Sequence, residues 1–105
     1  MDLHTVTALY FVGAGGIGMS ALIRYFLANG KRVGGYDKTP SELTAALIRE
    51  GAAIHYTDDM ALVEDCFLSP EHTLVVYTPA IPDSHTELTY FRTHGFQVVK
   101  RAQLL

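Results

Sequence analysis

The 105-residue sequence has a single cysteine, Cys66. This excludes an internal disulfide and any metal site built from several thiolates, and it fits a reducing cytosol. No apolar run approaches the ~20 residues that span a bilayer. The opening Met1-Asp2-Leu3-His4 lacks the basic flank of a secretory signal, so a cytoplasmic chain with no membrane partner is expected. Neither sign of charge is in large excess: 8 Lys and Arg against 11 Asp and Glu leave a net charge of −3. A nucleic-acid partner is therefore not expected, and any bound anion must be held by local geometry. The Gly-x-x-x-x-Gly-Lys-Ser/Thr run that grips the γ-phosphate of ATP is missing. The five histidines, at positions 4, 55, 72, 85 and 94, show no metal-ligand spacing and read as surface or partly buried residues. Asp58 and Asp59 suit a helix N-terminus better than a metal, because adjacent helical residues point in different directions. No catalytic constellation and no metal site are expected within this chain.

The chain does contain a glycine stretch, Gly13-Ala14-Gly15-Gly16-Ile17-Gly18. It follows the apolar run Ala8-Leu9-Tyr10-Phe11-Val12 and leads into Met19-Ser20-Ala21-Leu22-Ile23. Such an order predicts a buried strand, a tight turn, and a helix whose unpaired backbone N–H groups face an anion. Gly13, Gly15 and Gly18 occupy the three fixed positions of a dinucleotide-type loop: sharp turn, phosphate approach, close helix packing. Asp37 arrives one βα unit later, where a carboxylate can accept hydrogen bonds from ribose hydroxyls or simply cap a turn. Ser20 lacks His and Asp partners, and a hydroxyl in a first helical turn caps the helix or binds phosphate.

The remaining sequence alternates β-α-β-α-β-α-β-α-β. Helix one is expected over 16–29 with Ile17, Ala21, Leu22, Tyr25 and Phe26 inward, closed by Gly30. A second helix should start in Thr39-Pro40-Ser41-Glu42, read as a capping box with proline in the first turn, and carry Leu43, Ala46 and Leu47 inward. Strands are expected at 32–37, 53–56, 73–77 and 96–99, with a short helical or irregular stretch over 58–68. Ser84-His85-Thr86-Glu87 reads as another capping box, and residues 100–105 as the start of a helix that the chain leaves unfinished, as a fragment would. Together these predict a single α/β domain, Rossmann-like, with an open parallel five-stranded sheet, order 3-2-1-4-5, and helices on both faces. The loops at Gly13, Asp37 and Thr78 would then meet at the carboxyl edge of the sheet, where open α/β sheets bind ligands. Thr78-Pro79-Ala80-Ile81-Pro82 supplies a stiff loop directly off the fourth strand.

Tyr10-Phe11-Val12-Gly13-Ala14-Gly15-Gly16-Ile17-Gly18-Met19-Ser20-Ala21 strongly resembles the opening of the Mur ligases. The resemblance continues through Gly34-Gly35-Tyr36-Asp37, Val75-Val76-Tyr77-Thr78-Pro79-Ala80-Ile81 and Lys100-Arg101-Ala102-Gln103-Leu104-Leu105. It implies the N-terminal UDP-binding domain of a cytoplasmic ligase of peptidoglycan synthesis. That ligase joins L-alanine to UDP-N-acetylmuramate through an acyl phosphate, with ATP and Mg2+ bound by downstream domains. It further implies that Gly13, Ala14, Gly15, Gly16, Ile17, Gly18, Met19 and Ser20 hold the diphosphate. Asp37 would lie near the ribose, and Thr78, Pro79, Ala80 and Ile81 would flank the uridine. Many members have Gly-His where this chain has Thr57-Asp58, so no ligand role is carried to that loop. A tripeptide-recycling relative is a neighbouring possibility. The competing reading is an NAD-binding domain of an oxidoreductase or of a ligand-sensing regulator, since NAD also presents ribose hydroxyls.

Overall fold

The computed structural model describes residues 4–16 and 18–104. Five parallel strands, β1 (Ala8–Val12), β2 (Arg32–Tyr36), β3 (Ala53–His55), β4 (Thr73–Tyr77) and β5 (Gln97–Lys100), form one sheet in the order β3-β2-β1-β4-β5. The fold class and strand order expected from the alternation are therefore observed. β1 is buried along its whole length because it has a paired strand on each side and packed side chains on each face. A continuous apolar run is the composition that such a position selects.

Successive side chains of β1 point to opposite faces. Leu9 and Phe11 join Leu74 and Val76 beneath α1 (Met19–Ala28) and α2 (Glu42–Arg49), against Met19, Ile23, Phe26 and Leu47. Tyr10 and Val12 join Val75 on the other face, beneath α3 (Thr86–Thr93), against Leu88 and Phe91, with Val63 and Phe67 from two 3-10 turns, Met60–Leu62 and Asp65–Phe67. Each large apolar side chain buried this way contributes about 1.5–3 kcal/mol. Gly34 has no side chain because the Phe67 ring occupies that space: a Cβ there would lie 2.6 Å from the ring.

Several local expectations are corrected. α1 starts at Met19 rather than Gly16, because Gly18 takes a left-handed backbone (φ 79°) that no helix continues through. The later start rotates the buried stripe to Met19, Ile23 and Phe26, leaving Ala21 exposed and Tyr25 60% exposed. At α2 the cap is Ser41, not Thr39. Its Oγ accepts from the Thr44 N–H at 3.1 Å, while Thr44 Oγ1 accepts from the Ser41 N–H at 3.0 Å. Pro40 thus precedes the cap, Leu43 is turned outward, and Thr44 and Leu47 are buried. At α3 the cap is His85, whose Nδ1 accepts from the Leu88 N–H at 3.3 Å, and Glu87 is drawn into the core instead of completing a box. The unfinished helix at the end of the chain is a 3-10 turn, Arg101–Leu104. Among the described residues no helix is long and apolar enough to cross a membrane.

Candidate functional site

β1, β2 and β4 finish at one level, since Val12 is paired with Tyr36 on one side and Tyr77 on the other. The three loops that follow therefore open onto a common edge. Between them lies a cavity of about 590 Å3, walled by Gly13, Gly15 and Gly16 from the glycine turn, Tyr36 to Thr39 from the β2 end, and Thr78 and Ala80 to Pro82 from the β4 end. Asp58, Ser84 and His85 complete it from the far side. This is the crevice expected where the strand order reverses direction.

The glycine turn is held from within. Tyr36 O accepts from the N–H groups of Gly13 (2.7 Å) and Ala14 (2.9 Å), and Gly13 O accepts from Gly16 N–H (2.9 Å). Gly16 O accepts from Met19 N–H at 3.1 Å. The Gly15 N–H donates to Asp37 Oδ1 at 3.1 Å, and the other carboxylate oxygen accepts from Thr39 N–H at 3.2 Å. Five amides, those of Gly13, Ala14, Gly15, Gly16 and Met19, are thus engaged inside the protein. A Cβ at Gly15 would also crowd Asp37, lying 3.1 Å from its carboxylate. Asp37 caps the turn and also faces the cavity, so the two alternatives raised by the sequence coexist. Each of its oxygens retains acceptor capacity after one amide bond.

Of the other expected site residues, Thr78 packs on the turn, its Oγ1 being 3.0 Å from where a Gly13 Cβ would lie. Ala80 and Ile81 line the cavity. Pro79 lines an adjoining hollow of about 440 Å3 bounded by Gly16, Thr78, Ala80 and Lys100 to Ala102. Ala14 and Met19 are fully buried in the core, so their side chains face no ligand. Ser20 is half-buried in the first turn of α1 and belongs to neither wall. Gly18 lies against the Arg101 side chain. Ile17 lies outside the described residues.

Two groups in the wall escaped the sequence reading. Asp58 caps α3 from a distant loop, accepting from the N–H groups of Thr86 (2.7 Å) and Glu87 (2.9 Å). Burial opposes its charge, but these amides and the nearby His85 more than offset that and hold its carboxyl below the usual range. His85, expected as an ordinary surface or partly buried histidine, is buried with its ring edge against Tyr36, centroids 4.5 Å apart. Burial, then the carboxylates of Asp58, Glu87 and Asp37, push the Tyr36 phenol upward. Beneath them Glu87, fully buried, accepts from Tyr10 OH at 2.5 Å and Asp59 N–H at 3.0 Å, and its Oε2 lies 2.7 Å from His55 Nε2. Burial and that carboxylate keep the Tyr10 phenol protonated far above its ordinary range. No sequence-local signal marks these partners, because each pair joins elements remote in the chain. The residues of the wall bring the carboxylates of Asp37 and Asp58, the hydroxyl-bearing Thr39, Thr78 and Ser84, the cation Lys38 and apolar surface: a set suited to binding a polar, hydroxyl-bearing molecule.

The profile described as "Mur ligase family, catalytic domain" matches residues 8–105. Relatives named UDP-N-acetylmuramate–L-alanine ligase from Parabacteroides distasonis and Phocaeicola vulgatus are 73% and 64% identical over 105 residues, covering 100% of this chain and 23% of each relative. The crystal structure of UDP-N-acetylmuramate-alanine ligase MurC from Thermotoga maritima is similar with a TM-score of 0.80 and 31% identity, covering 92% of this chain and 21% of that one. The chain spans less than a quarter of the length of these relatives. The match over nearly every residue, together with the shared fold, shows that the chain belongs to the Mur ligase family.

Proposed function

We propose that this chain is the UDP-N-acetylmuramate-binding part of a cytoplasmic ligase that adds L-alanine to that nucleotide sugar during peptidoglycan synthesis. The single observation that carries the reading is the cavity at the reversal of strand order, where the Asp37 carboxylate is fixed by Gly15 and Thr39 amides and still faces open space. From there it accepts the ribose hydroxyls, Ile81 and Pro82 give the uracil an apolar wall, and the diphosphate crosses the glycine turn. ATP, with Mg2+, supplies the activation of the lactyl carboxylate; this chain has no Gly-Lys-Ser/Thr cradle for it, so both are assigned to the remainder of the protein. The role of these residues is to bind and orient the nucleotide so that its carboxylate reaches that remainder.

Calorimetric titration with UDP-N-acetylmuramate and, separately, NAD tests this. Saturable binding of the uridine nucleotide with none of NAD is expected. Binding of NAD alone would overturn the ligase reading in favour of an oxidoreductase or sensor domain, which Asp37 would serve equally well.

A further inference from the structure

His85 lines the larger cavity, and its two ring nitrogens are unequally placed. Nε2 is buried with no hydrogen-bond partner. Nδ1 has two neighbours: the Leu88 N–H at 3.3 Å and the Asp58 carboxylate, whose Oδ1 lies 3.4 Å away. The first is a donor and the second an acceptor, so one nitrogen cannot serve both at once. Neutral His85 keeps its single proton on Nε2 and accepts from Leu88, closing the first turn of α3. A second proton can go only to Nδ1, which then gives up Leu88 and donates to Asp58. Both distances are long for a settled hydrogen bond, as suits an atom for which two partners compete.

The groups around the imidazole come from every neighbouring element. Asp58 faces it from the loop after β3, and Tyr36 of β2 meets its ring, with a phenol that burial and nearby carboxylates keep protonated. Glu87 lies two residues along α3, held by Tyr10 of β1 and His55 of β3. Asp37 and Lys38 share the cavity, while Asp83, on the loop before α3, is turned out to solvent toward Arg92. Among the described residues no lysine or arginine forms an ion pair with Asp37, Asp58 or Glu87; the ion pairs these carboxylates make are with histidines. The charge of this wall is therefore balanced by the one side chain that ordinarily titrates between about pH 5 and 8.

We propose that His85 is a proton-operated switch in the cavity wall and that an anionic nucleotide sets it: binding draws a proton onto Nδ1 and passes that nitrogen from Leu88 to Asp58. This rests on the nucleotide reading of the larger cavity. It goes further by making occupation of the site proton-linked. The negative charge of a diphosphate, added to the carboxylates of Asp37 and Asp58, favours the charged imidazole over the neutral one. Uptake of a proton on binding means that affinity rises as pH falls, by at most about tenfold per pH unit for a single proton. The rise ends where Asp58, whose carboxyl is held below its usual range, takes a proton itself.

The test uses the full-length protein containing this chain, as wild type and as His85→Asn, which keeps an acceptor for Leu88 but takes no proton. Calorimetry with UDP-N-acetylmuramate at neutral pH, in phosphate and in Tris, buffers of unlike ionisation enthalpy, counts the protons taken up. Wild type should take up a measurable fraction of one proton, His85→Asn none, and uncharged uridine should cause no uptake in either. Magnetic resonance of isotope-labelled histidine and leucine, without ligand and across the histidine range, should show the Leu88 amide moving in step with protonation of His85 Nδ1. No uptake in wild type, or an uptake that survives in His85→Asn, would overturn the proton linkage. Equal uptake with uridine would overturn the role assigned to ligand charge. A Leu88 amide indifferent to the state of the imidazole would overturn the exchange of partners, whatever the variant does to folding. A wild type that binds neither uridine compound would sink the nucleotide reading itself, and the Leu88 amide would still decide whether the switch exists.

Discussion

Replacing Glu87 should destabilise the fold more than any single change at the surface. Its carboxylate is fully buried and joins α3 to β1 through Tyr10 OH (2.5 Å), to β3 through His55 Nε2 (2.7 Å), and to the Asp59 amide (3.0 Å). Glu87→Ala leaves the Asp59 amide without its acceptor and the buried Tyr10 hydroxyl with only His55 Nε2, 3.2 Å away, as a partner; each loss costs about 1–3 kcal/mol, and a cavity opens. Relief from desolvating a carboxylate offsets part of this, and a net loss of about 3–5 kcal/mol remains. That approaches the entire ~5–15 kcal/mol of a typical domain. Glu87→Gln keeps the volume and one acceptor oxygen. Its amide hydrogens suit His55 only when the facing ring nitrogen is unprotonated, so a loss of about 1–3 kcal/mol is expected. Urea unfolding of the chain, followed by circular dichroism, reads both as a fall in midpoint at unchanged slope. An alanine variant within about 0.5 kcal/mol of wild type would refute the claim that this carboxylate ties the elements together.

Two further outcomes follow from the geometry of the site. Gly15→Val places branched carbon where a Cβ is already 3.1 Å from the Asp37 carboxylate; nucleotide titration should fail while the far-ultraviolet spectrum stays native, and unchanged binding would sink the assignment of the loop. Asp58 has a depressed carboxyl pKa in the folded state, so its capping stabilisation is present at pH above its unfolded value and is lost as the pH falls through the folded one. Wild type should therefore exceed Asp58→Asn by about 1 kcal/mol at neutral pH, and the gap should close below about pH 4; a gap that stays constant from neutral to acid would show that the amide caps α3 equally well.

Strand order and the position of the site were legible because glycines close helices just before strands and because the run 8–12 can be satisfied only at the centre of a sheet. Helix phase was less legible. One left-handed glycine, Gly18, delayed α1 and exchanged Ala21 and Tyr25 for Met19 and Ile23 in the buried stripe. The box read into Ser84 to Glu87 assumed that a glutamate in a first turn folds back on its own helix; three groups from other elements hold it instead. Asp58 and His85 were missed for the same reason, since their partners lie across the sheet edge and not along the chain. Ala14 and Met19 belong to the recognised motif yet serve the core, so a motif's letters mix groups that face a ligand with groups that hold the turn in place.

The central placement of β1 also bears on the order of events during synthesis. β1 emerges early, but its second neighbour, β4, is made only after two helices and two further strands. Until Tyr77 pairs with Val12 and the Thr78 loop comes down on the glycine turn, the crevice has only one wall. A nucleotide that needs both walls binds only the completed sheet, and by mass action it pulls the nascent chain toward that state. Assembly of the binding edge is thus a late, non-local and comparatively slow step, and on the proposed reading a bound nucleotide acts as a folding partner as well as a ligand.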